Sequence, residues 1–434
     1  MAVPNYQARK ILERVVGDRS IEELAERLKP RAPRDNPLPP HLPAGIDYSD
    51  EAVERRRQLL SQQSLQTGQL AGRESEISPS ELVGSIEHFI GFARIPVGVV
   101  GPLRINGSNA HGDFYVPLAT TEGALVASYN RGVHVISQAG GAAALCLTEA
   151  VSRAPCFVFR NLAEAGLFAS WIVPRYDSLQ AIVAGTSRYC QLVDLKTTLN
   201  GKEVYLSFEF TTEDAAGQNM VTIATEAICN ALLKDAPTQP RHWYLEGNMS
   251  GDKKATMQAF LYTRGKDVVT EVALPARLVR RYLHTSPRDM VRYWEISTLG
   301  GIQSGSIGVQ GHYANALAAL FMACGQDVAC VAEASVGVTR MDITEAGELY
   351  VSVKLPNLIV GTVGGGTYLP TARECLEMIG CYGAGKAQKF AEICAATALA
   401  GEVSIIAALA SGEFGKAHAQ YGRKPKRKDH DGSN

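Results

Sequence analysis

The sequence predicts an α/β protein of the α+β kind, in which a larger, mostly helical unit carries an inserted, ferredoxin-like (split βαβ) unit. Three observations predict it. Residues 154–246 alternate strand and helix patterns in the order β-α-β-β-α-β. Inside that run, Asn200-Gly201 joins two alternating apolar stretches, which is a hairpin signal. Downstream, Ala-rich segments have the composition of helices that pack closely. The 434 residues are 46% hydrophobic and 20% charged. That composition fits a packed chain of two or three domains and excludes a disordered or collagen-like one.

Residues 1–80 are polar, with a Pro-rich break from Pro30 to Pro43 and a weakly amphipathic helix from Glu51 to Gln69. They read as a helical arm that needs another surface to order it, or as a partly mobile tail. The texture changes near Ile90. Ile95–Leu103 is an extended stretch ending in a turn, and Phe114–Leu118 is a strand. A helix follows at Ala124–Gln138, with Thr120 and Thr121 as natural caps. Ala142–Leu147 is small and apolar, ahead of a strand at Ala154–Phe159. The inserted unit, 155–245, has helices at Leu162–Val173, Ser178–Thr186 and Gln218–Lys234, and strands at Gln191–Thr198, Glu203–Thr211 and 242–246. Beyond it come a helix at Tyr313–Gly325, strands at Leu349–Val353 and Leu358–Val363, and helices at Thr371–Ile379, Gly385–Leu399 and Gly401–Leu409.

Net charge is −1, so no global field points to nucleic acid or anionic lipid. The short basic run Arg423–Lys428 signals a solvated tail. Nine cysteines without a CxxC pair or a nearby His in metal-ligand spacing read as reduced, buried thiols of a cytoplasmic protein, with no metal site. The start has no signal-peptide pattern, and no apolar run approaches the roughly 20 residues of a membrane helix.

Six segments stand out chemically. Asp214-Ala215-Ala216-Gly217-Gln218-Asn219-Met220 lies at a strand-to-helix junction, where free N–H groups suit a phosphate. Taken alone, it reads more readily as a plain Asp-capped helix. Gly361-Thr362-Val363-Gly364-Gly365-Gly366-Thr367 forfeits backbone entropy, as a loop does where a ligand must touch the main chain. In Gly251-Asp252-Lys253-Lys254, a lysine beside an aspartate is a cation for a developing oxyanion or a solvated charge pair. Glu122 is a desolvated acid or a first-turn glutamate that favours the helix dipole. Asp327 closes an Ala-rich helix, where an acid is unfavourable unless paired. His418 and Arg423 alone read as surface residues.

Taken in order, IPVGVVGPL at 95–103, ATTEGALVAS at 119–128, DAAGQNM at 214–220, GNMSGDKK at 247–254, ACGQD at 323–327 and GTVGGGT at 361–367 resemble the hydroxymethylglutaryl-CoA reductase family. The form is the one shared by eukaryotes and archaea, and the match runs from about Glu87 to Arg423. The resemblance implies an NADPH-dependent enzyme that reduces an acyl-CoA thioester to an alcohol with two hydrides. Glu122 is then the proton donor, Lys253 the oxyanion-stabilising cation, Asp327 the carboxylate linking them, and His418 the acid that protonates the departing CoA thiolate. It implies that Asp214, Gly217, Gln218, Asn219, Met220, Gly361, Thr362, Val363, Gly364, Gly365 and Arg423 hold the cofactor, with Arg423 meeting its 2′-phosphate. Ser128, Arg131, Arg160, Asn248, Asp252 and Lys254 fall to the substrate. The units become a CoA-binding domain (81–154 and 246–412), an NADP-binding domain (155–245) and a C-terminal segment (413–434) carrying His418. The resemblance also implies a homodimer with active sites between subunits, acting without nucleic acid or membrane.

Several substrate-side positions depart from the family pattern. Val158 stands where an acyl-gripping arginine belongs, with Arg160 two residues on. Ile296 replaces a lysine, Gln310-Gly311-His312 replaces Asn-Ala-His, and Glu246 replaces a serine beside the lysine loop. A carboxylate there repels an acidic substrate unless it is protonated or neutralised by Lys254. Three readings follow: the usual substrate held by compensating residues, a different acyl thioester, or a non-catalytic CoA-binding homologue.

Overall fold

The computed structural model describes residues 6–15, 20–43, 49–71 and 92–415, with isolated positions 47, 82, 86 and 88. The arm forms α1 (Tyr6–Val15), α2 (Ile21–Leu28) and α3 (Asp50–Gln62). Ser20 and Glu23 make a capping box on α2, and Ser49 caps α3. Buried charge docks this arm on the body. Arg14 in α1 pairs with Glu149 at 2.7 Å. Arg104, fully buried, chelates Asp113 and donates to the carbonyls of Arg31 and Asn36 at 2.7 Å each.

The body begins with β1 (Val97–Gly107) and β2 (His111–Ala119), an antiparallel hairpin, then α4 (Leu125–Gln138) and β3 (Ala142–Arg153). Thr120 does not cap α4. Its hydroxyl accepts from the Glu122 N–H, and Ala124, at φ 74°, opens the helix without a side-chain cap. The small apolar run at 142–147 is itself strand, because β3 is buried between neighbours on both edges.

The next elements are β4 (Cys156–Val158), α5 (Leu162–Ile172), α6 (Tyr176–Ala184), β5 (Gln191–Asn200), β6 (Glu203–Thr211), α7 (Gln218–Asp235) and β7 (His242–Tyr244). Their strands lie in the order β7-β4-β6-β5, all antiparallel, which is the expected split βαβ arrangement. Phe157, Phe159 and Phe168 fill its core, with ring centroids 5.0 Å apart. The end of β3 pairs with β6, so this sheet continues into the larger one.

The remainder comprises β8 (Gly265–Leu274), α8 (Ala276–Leu283), α9 (Pro287–Gln303), α10 (Tyr313–Ala323), α11 (Val331–Ala334), β9 (Val338–Ile343), β10 (Leu349–Leu358), α12 (Pro370–Met378) and α13 (Ala387–Ala410). The larger sheet runs β2-β1-β3-β8-β10-β9. It holds more strand than the Ala-rich segments suggest. β8 alternates buried and less buried residues from Val268 to Leu274, but Val269 and Ala273 on the less buried side are apolar, so its sequence shows no period-2 signal. Residues 359–363 do not extend β10 as a strand. They leave the sheet to meet the turn before α7, where the Thr362 N–H donates to the Asp214 carbonyl at 2.8 Å.

The two helices expected at 385–399 and 401–409 are one. Gly401 does not break α13. It lets the helix lie against the Tyr129 ring, where a β-carbon would come within 2.5 Å. At Gly132 on α4, a β-carbon would come within 1.9 Å of the Ala400 carbonyl oxygen. α13 is long and apolar enough to cross a membrane, contrary to the reading of the sequence run by run, but it is mostly buried in the core. Its two fully buried acids, Glu392 and Glu402, accept N–H groups from residues 109–110 and 311–312.

Candidate active site

Three of the singled-out segments pack on one another. α7 starts at Gly217, φ 79°, where any β-carbon would overlap the Thr212 side chain. No side chain among the described residues caps this helix. Asp214 instead caps a different one. Its carboxylate accepts from the N–H groups of Gly385 (2.6 Å), Lys386 (2.9 Å) and Ala387 (2.9 Å), at the start of α13. Gly361 lies against the same turn, and a β-carbon there would be 2.5 Å from the Ala216 nitrogen. Ala215 and Val363 form a parallel bridge. Gly364 (φ 72°) and Gly365 (φ 55°) are exposed and face open space. Gln326, before Asp327, accepts from the Gly361 N–H at 2.8 Å. Thr362 is buried, its hydroxyl donating to the Gly383 carbonyl.

Beside these loops, Lys253 Nζ lies 2.8 Å from Asp327 Oδ2. The hydrogen bond that Lys253 donates to Asp327 is the main cause that raises the Lys253 pKa above its ordinary value. Asp327 is no ill-placed acid at a helix C-terminus. Its other oxygen accepts from the Ala329 N–H at 3.0 Å and opens a 3-10 turn, Val328–Cys330. Gln218, first residue of α7, donates to Cys330 Sγ at 2.7 Å, tying the helix start to the turn that presents Asp327. Burial pushes the Cys330 thiol up, so it offers no thiolate. Asn219 is exposed, and Met220 packs against the core.

A layer of charge lies below. Asp252 meets Arg153 at 2.9 Å and Arg264 at 2.8 Å. Burial works to raise its carboxyl, but the two guanidiniums outweigh it and the pKa is lowered. Arg153 also pairs with Glu246 at 3.5 Å, and Glu246 accepts from the Ala154 N–H at 3.3 Å. The neutralising partner of Glu246 is therefore Arg153. Lys254, exposed, reaches the Asp252 carbonyl instead. Sequence reasoning missed Arg153 and Arg264 as parts of the site. The only sign was two arginines flanking apolar strands, where unpaired charge is not tolerated.

Other expected residues lie apart within the chain. Glu122 is exposed, so it is not desolvated here, and its carboxylate accepts from Asn315 at 3.4 Å. Asn315 is in the first turn of α10, whereas Asp327 follows the last. From Asn315 to Ala323 the helix rises about 12 Å. Ser128 and Arg131 on α4 face α13, where Ser128 Oγ lies 3.0 Å from Ser404 Oγ and Arg131 donates to the Ser404 carbonyl at 2.7 Å. Arg160 is exposed and turns back to Glu164 at 3.7 Å. It lies six residues along the chain from Ala154, about 20 Å if extended, so it does not reach Glu246. Asn248 is exposed at φ 62°, in the loop leading to Lys253. Ile296 is exposed on α9, in a stripe with Leu299 and Ile302. His418 and Arg423 lie outside the described residues.

The family model for hydroxymethylglutaryl-coenzyme A reductase matches residues 52–423. The chain is 44% identical over 356 residues to 3-hydroxy-3-methylglutaryl-coenzyme A reductase of Pyrococcus abyssi, covering 80% of this chain and 87% of that one. It is 39% identical over 410 residues to the enzyme of the same name from Haloferax volcanii, covering 92% and 98%. Among solved structures, the NADPH-bound class II 3-hydroxy-3-methylglutaryl-CoA reductase of Streptococcus pneumoniae superposes with a TM-score of 0.66 at 18% identity, over 82% of this chain and 96% of that one. That likeness bears on the fold. The long sequence matches, together with the convergence of the 214–220, 323–327 and 361–367 loops on a lysine–aspartate pair, establish that the chain belongs to the hydroxymethylglutaryl-coenzyme A reductase family.

Proposed function

We propose that the protein reduces hydroxymethylglutaryl-CoA to mevalonate with NADPH. The observation that carries this reading is the 2.8 Å Lys253–Asp327 pair lying beside a helix start without a side-chain cap. The uncapped first turn of α7 and the open, positive-φ glycines 364 and 365 fit a dinucleotide, offering N–H groups and room for phosphate. The residues that hold it are Gly217, Gln218, Asn219, Met220 and 361–365, with Asp214 bracing the turn and Arg423 as the natural partner of a 2′-phosphate. Two NADPH molecules, bound in turn, would each supply one hydride, and with two protons these convert the thioester to alcohol and free thiol. The Lys253 ammonium, held by Asp327, stabilises the oxyanion as the carbonyl is reduced. Glu122 delivers the proton to that oxygen. His418 protonates the departing thiolate, whose conjugate thiol has a pKa of about 8.5, and so prevents re-attack.

In this reading 155–245 is the cofactor domain, 81–154 and 246–412 bind CoA, 413–434 bring His418 to the site, and 1–80 are the arm. Ser128, Arg131, Asn248, Asp252 and Lys254 serve the substrate side. The usual acidic substrate is favoured over another acyl group because Arg153 neutralises Glu246. Two observations support a homodimer with shared sites: the exposed apolar stripe Ile296–Leu299–Ile302, and the separation of Glu122 from Asp327 within one chain. Nine free, buried thiols fit a cytoplasmic location. Steady-state rates with hydroxymethylglutaryl-CoA, a panel of other acyl-CoAs, NADPH and NADH test the proposal. Mevalonate formation with NADPH preferred is the expected result, and turnover confined to another acyl-CoA or absent altogether overturns it.

A further inference from the structure

Lys253 sits at φ 56°, a left-handed conformation that a long side chain adopts only when its surroundings impose it. What imposes it is below the surface. The Lys253 backbone N–H donates to Glu333 Oε1 at 3.2 Å. Glu333, on α11, is fully buried, and Arg264 donates to both of its carboxylate oxygens at 2.5 Å. Arg264 is itself 2% exposed, its backbone N–H donates to Asn357 Oδ1 at 2.8 Å, and its guanidinium also meets Asp252, the residue before Lys253. Two adjacent loop residues are thus gripped by one buried ion pair, one through a backbone N–H and one through a carboxylate. Glu333 also lies six residues after Asp327, on the short helix that follows the Asp327-capped turn. The same segment therefore fixes both partners of the Lys253–Asp327 pair.

We propose that Glu333, clamped by Arg264, is a positioning residue that sets the backbone of Lys253 and so aims its ammonium at Asp327 and at the reacting carbonyl. A buried pair is costly to form and does not by itself add stability. Its use here is geometric, since an error of about 1 Å at a reacting group costs on the order of 100-fold in rate. The inference rests on the reading of Lys253 as the oxyanion-stabilising cation.

The test uses the full-length enzyme and the variants Glu333→Asp, Glu333→Gln, Lys253→Ala and the double variant Lys253→Ala/Glu333→Asp. Glu333→Asp keeps the charge for Arg264 but withdraws the carboxylate from the Lys253 N–H. It is expected to retain the thermal unfolding temperature of the parent within a few degrees while kcat falls about 10- to 100-fold and the KM for NADPH stays within about 2-fold. A second readout is independent of turnover. The pH dependence of acetic anhydride labelling at Lys253, read by mass spectrometry, reports its ammonium directly. With the Asp327 contact loosened, the labelling midpoint moves to lower pH, because the partner that raised the pKa is lost. A folded Glu333→Asp enzyme with parental kcat and an unshifted labelling midpoint overturns the inference. So does a double variant that loses activity by the product of the two single effects. Should Glu333→Gln unfold, Glu333→Asp carries the test alone. If Lys253→Ala retains parental kcat, the reading of Lys253 fails instead, and the labelling midpoint still reports whether Glu333 positions it.

Discussion

Replacing Asp214 by alanine separates two roles that its position permits, cofactor ligand and structural brace. The carboxylate accepts three N–H groups at the start of α13, from residues 385, 386 and 387. Water can take over at Gly385, which is exposed, but Ala387 is buried and Lys386 half-buried. Losing a capping acid costs about 0.5–2 kcal/mol, and an orphaned, partly buried donor adds about 1–3 kcal/mol. Destabilisation of about 2–4 kcal/mol is therefore expected, centred on the first turn of α13. Asp214→Asn keeps one acceptor oxygen and should lose about half as much. Hydrogen exchange of peptides covering 380–390 reads the local effect and thermal unfolding the global one. The KM for NADPH should rise as well, because the Asp214 carbonyl holds Thr362 and the turn carries the start of α7. If exchange at 385–387 and the unfolding temperature stay parental while only the NADPH KM rises, the carboxylate touches the cofactor and the bracing argument is wrong.

Removing the ammonium with Lys253→Ala should lower kcat by about 100- to 1,000-fold, the cost of losing one preorganised oxyanion partner, with little change in unfolding temperature because the side chain is exposed. Arg153→Met leaves Asp252 and Glu246 facing each other without their shared cation and should destabilise by about 3–5 kcal/mol in urea unfolding. The pH dependence follows from the lowered pKa of Asp252. A depressed carboxyl contributes stability that is complete above its ordinary value of about 3.8 and is lost as pH falls through the lower folded value. Arg153→Met should therefore shift acid unfolding to higher pH, and an unmoved acid limb would count against the network. Leu299→Glu should convert a dimer into monomers with low activity, measured by sedimentation and steady-state rates, whereas an unchanged sedimentation coefficient would show that this stripe is not the contact.

What the sequence made legible follows a physical divide. Contiguous signals could be read: the Asn200-Gly201 hairpin, the β6 boundaries at Glu203 and Thr211, and the start of α7 at Gln218 all stand where local pattern puts them. Signals that depend on a distant partner could not. Gly401 looks like a helix break until the Tyr129 ring is seen filling its place. Asp214 looks like the cap of its own helix until α13 arrives 171 residues later. β8 carries the apolar Val269 and Ala273 on its less buried side, so its sequence lacks the apolar–polar alternation that marks a half-exposed strand. The candidate site divides the same way. The glycine loop and the lysine were visible as local oddities. Arg153, Arg264 and Glu333, which hold that lysine loop, are ordinary charged residues in sequence and become informative only when found buried together.

The position of Glu122 turns the proposed dimer from an assembly question into a catalytic one. Lys253 and Asp327 are joined within one chain, while Glu122 stands at the far end of α10 with Asn315 as its partner. Its partner Asn315 stands about 12 Å of helix from the end that precedes Asp327, while proton transfer to the carbonyl that Lys253 polarises needs heavy-atom contact of about 3 Å or one bridging water. Either this chain brings its own Glu122 to the carbonyl, or a second copy brings its Glu122 to this Lys253. Mixing two inactive variants decides between them. If subunits exchange, Lys253→Ala combined with Glu122→Gln should regain activity through hybrid dimers, because one of the two shared sites then has both residues intact. With random exchange half the dimers are hybrid and each carries one working site, so about a quarter of parental activity is expected. No recovery, with exchange verified by mass spectrometry of the mixed dimers, would place both residues in the same site of one chain and remove Glu122 from the shared-site scheme.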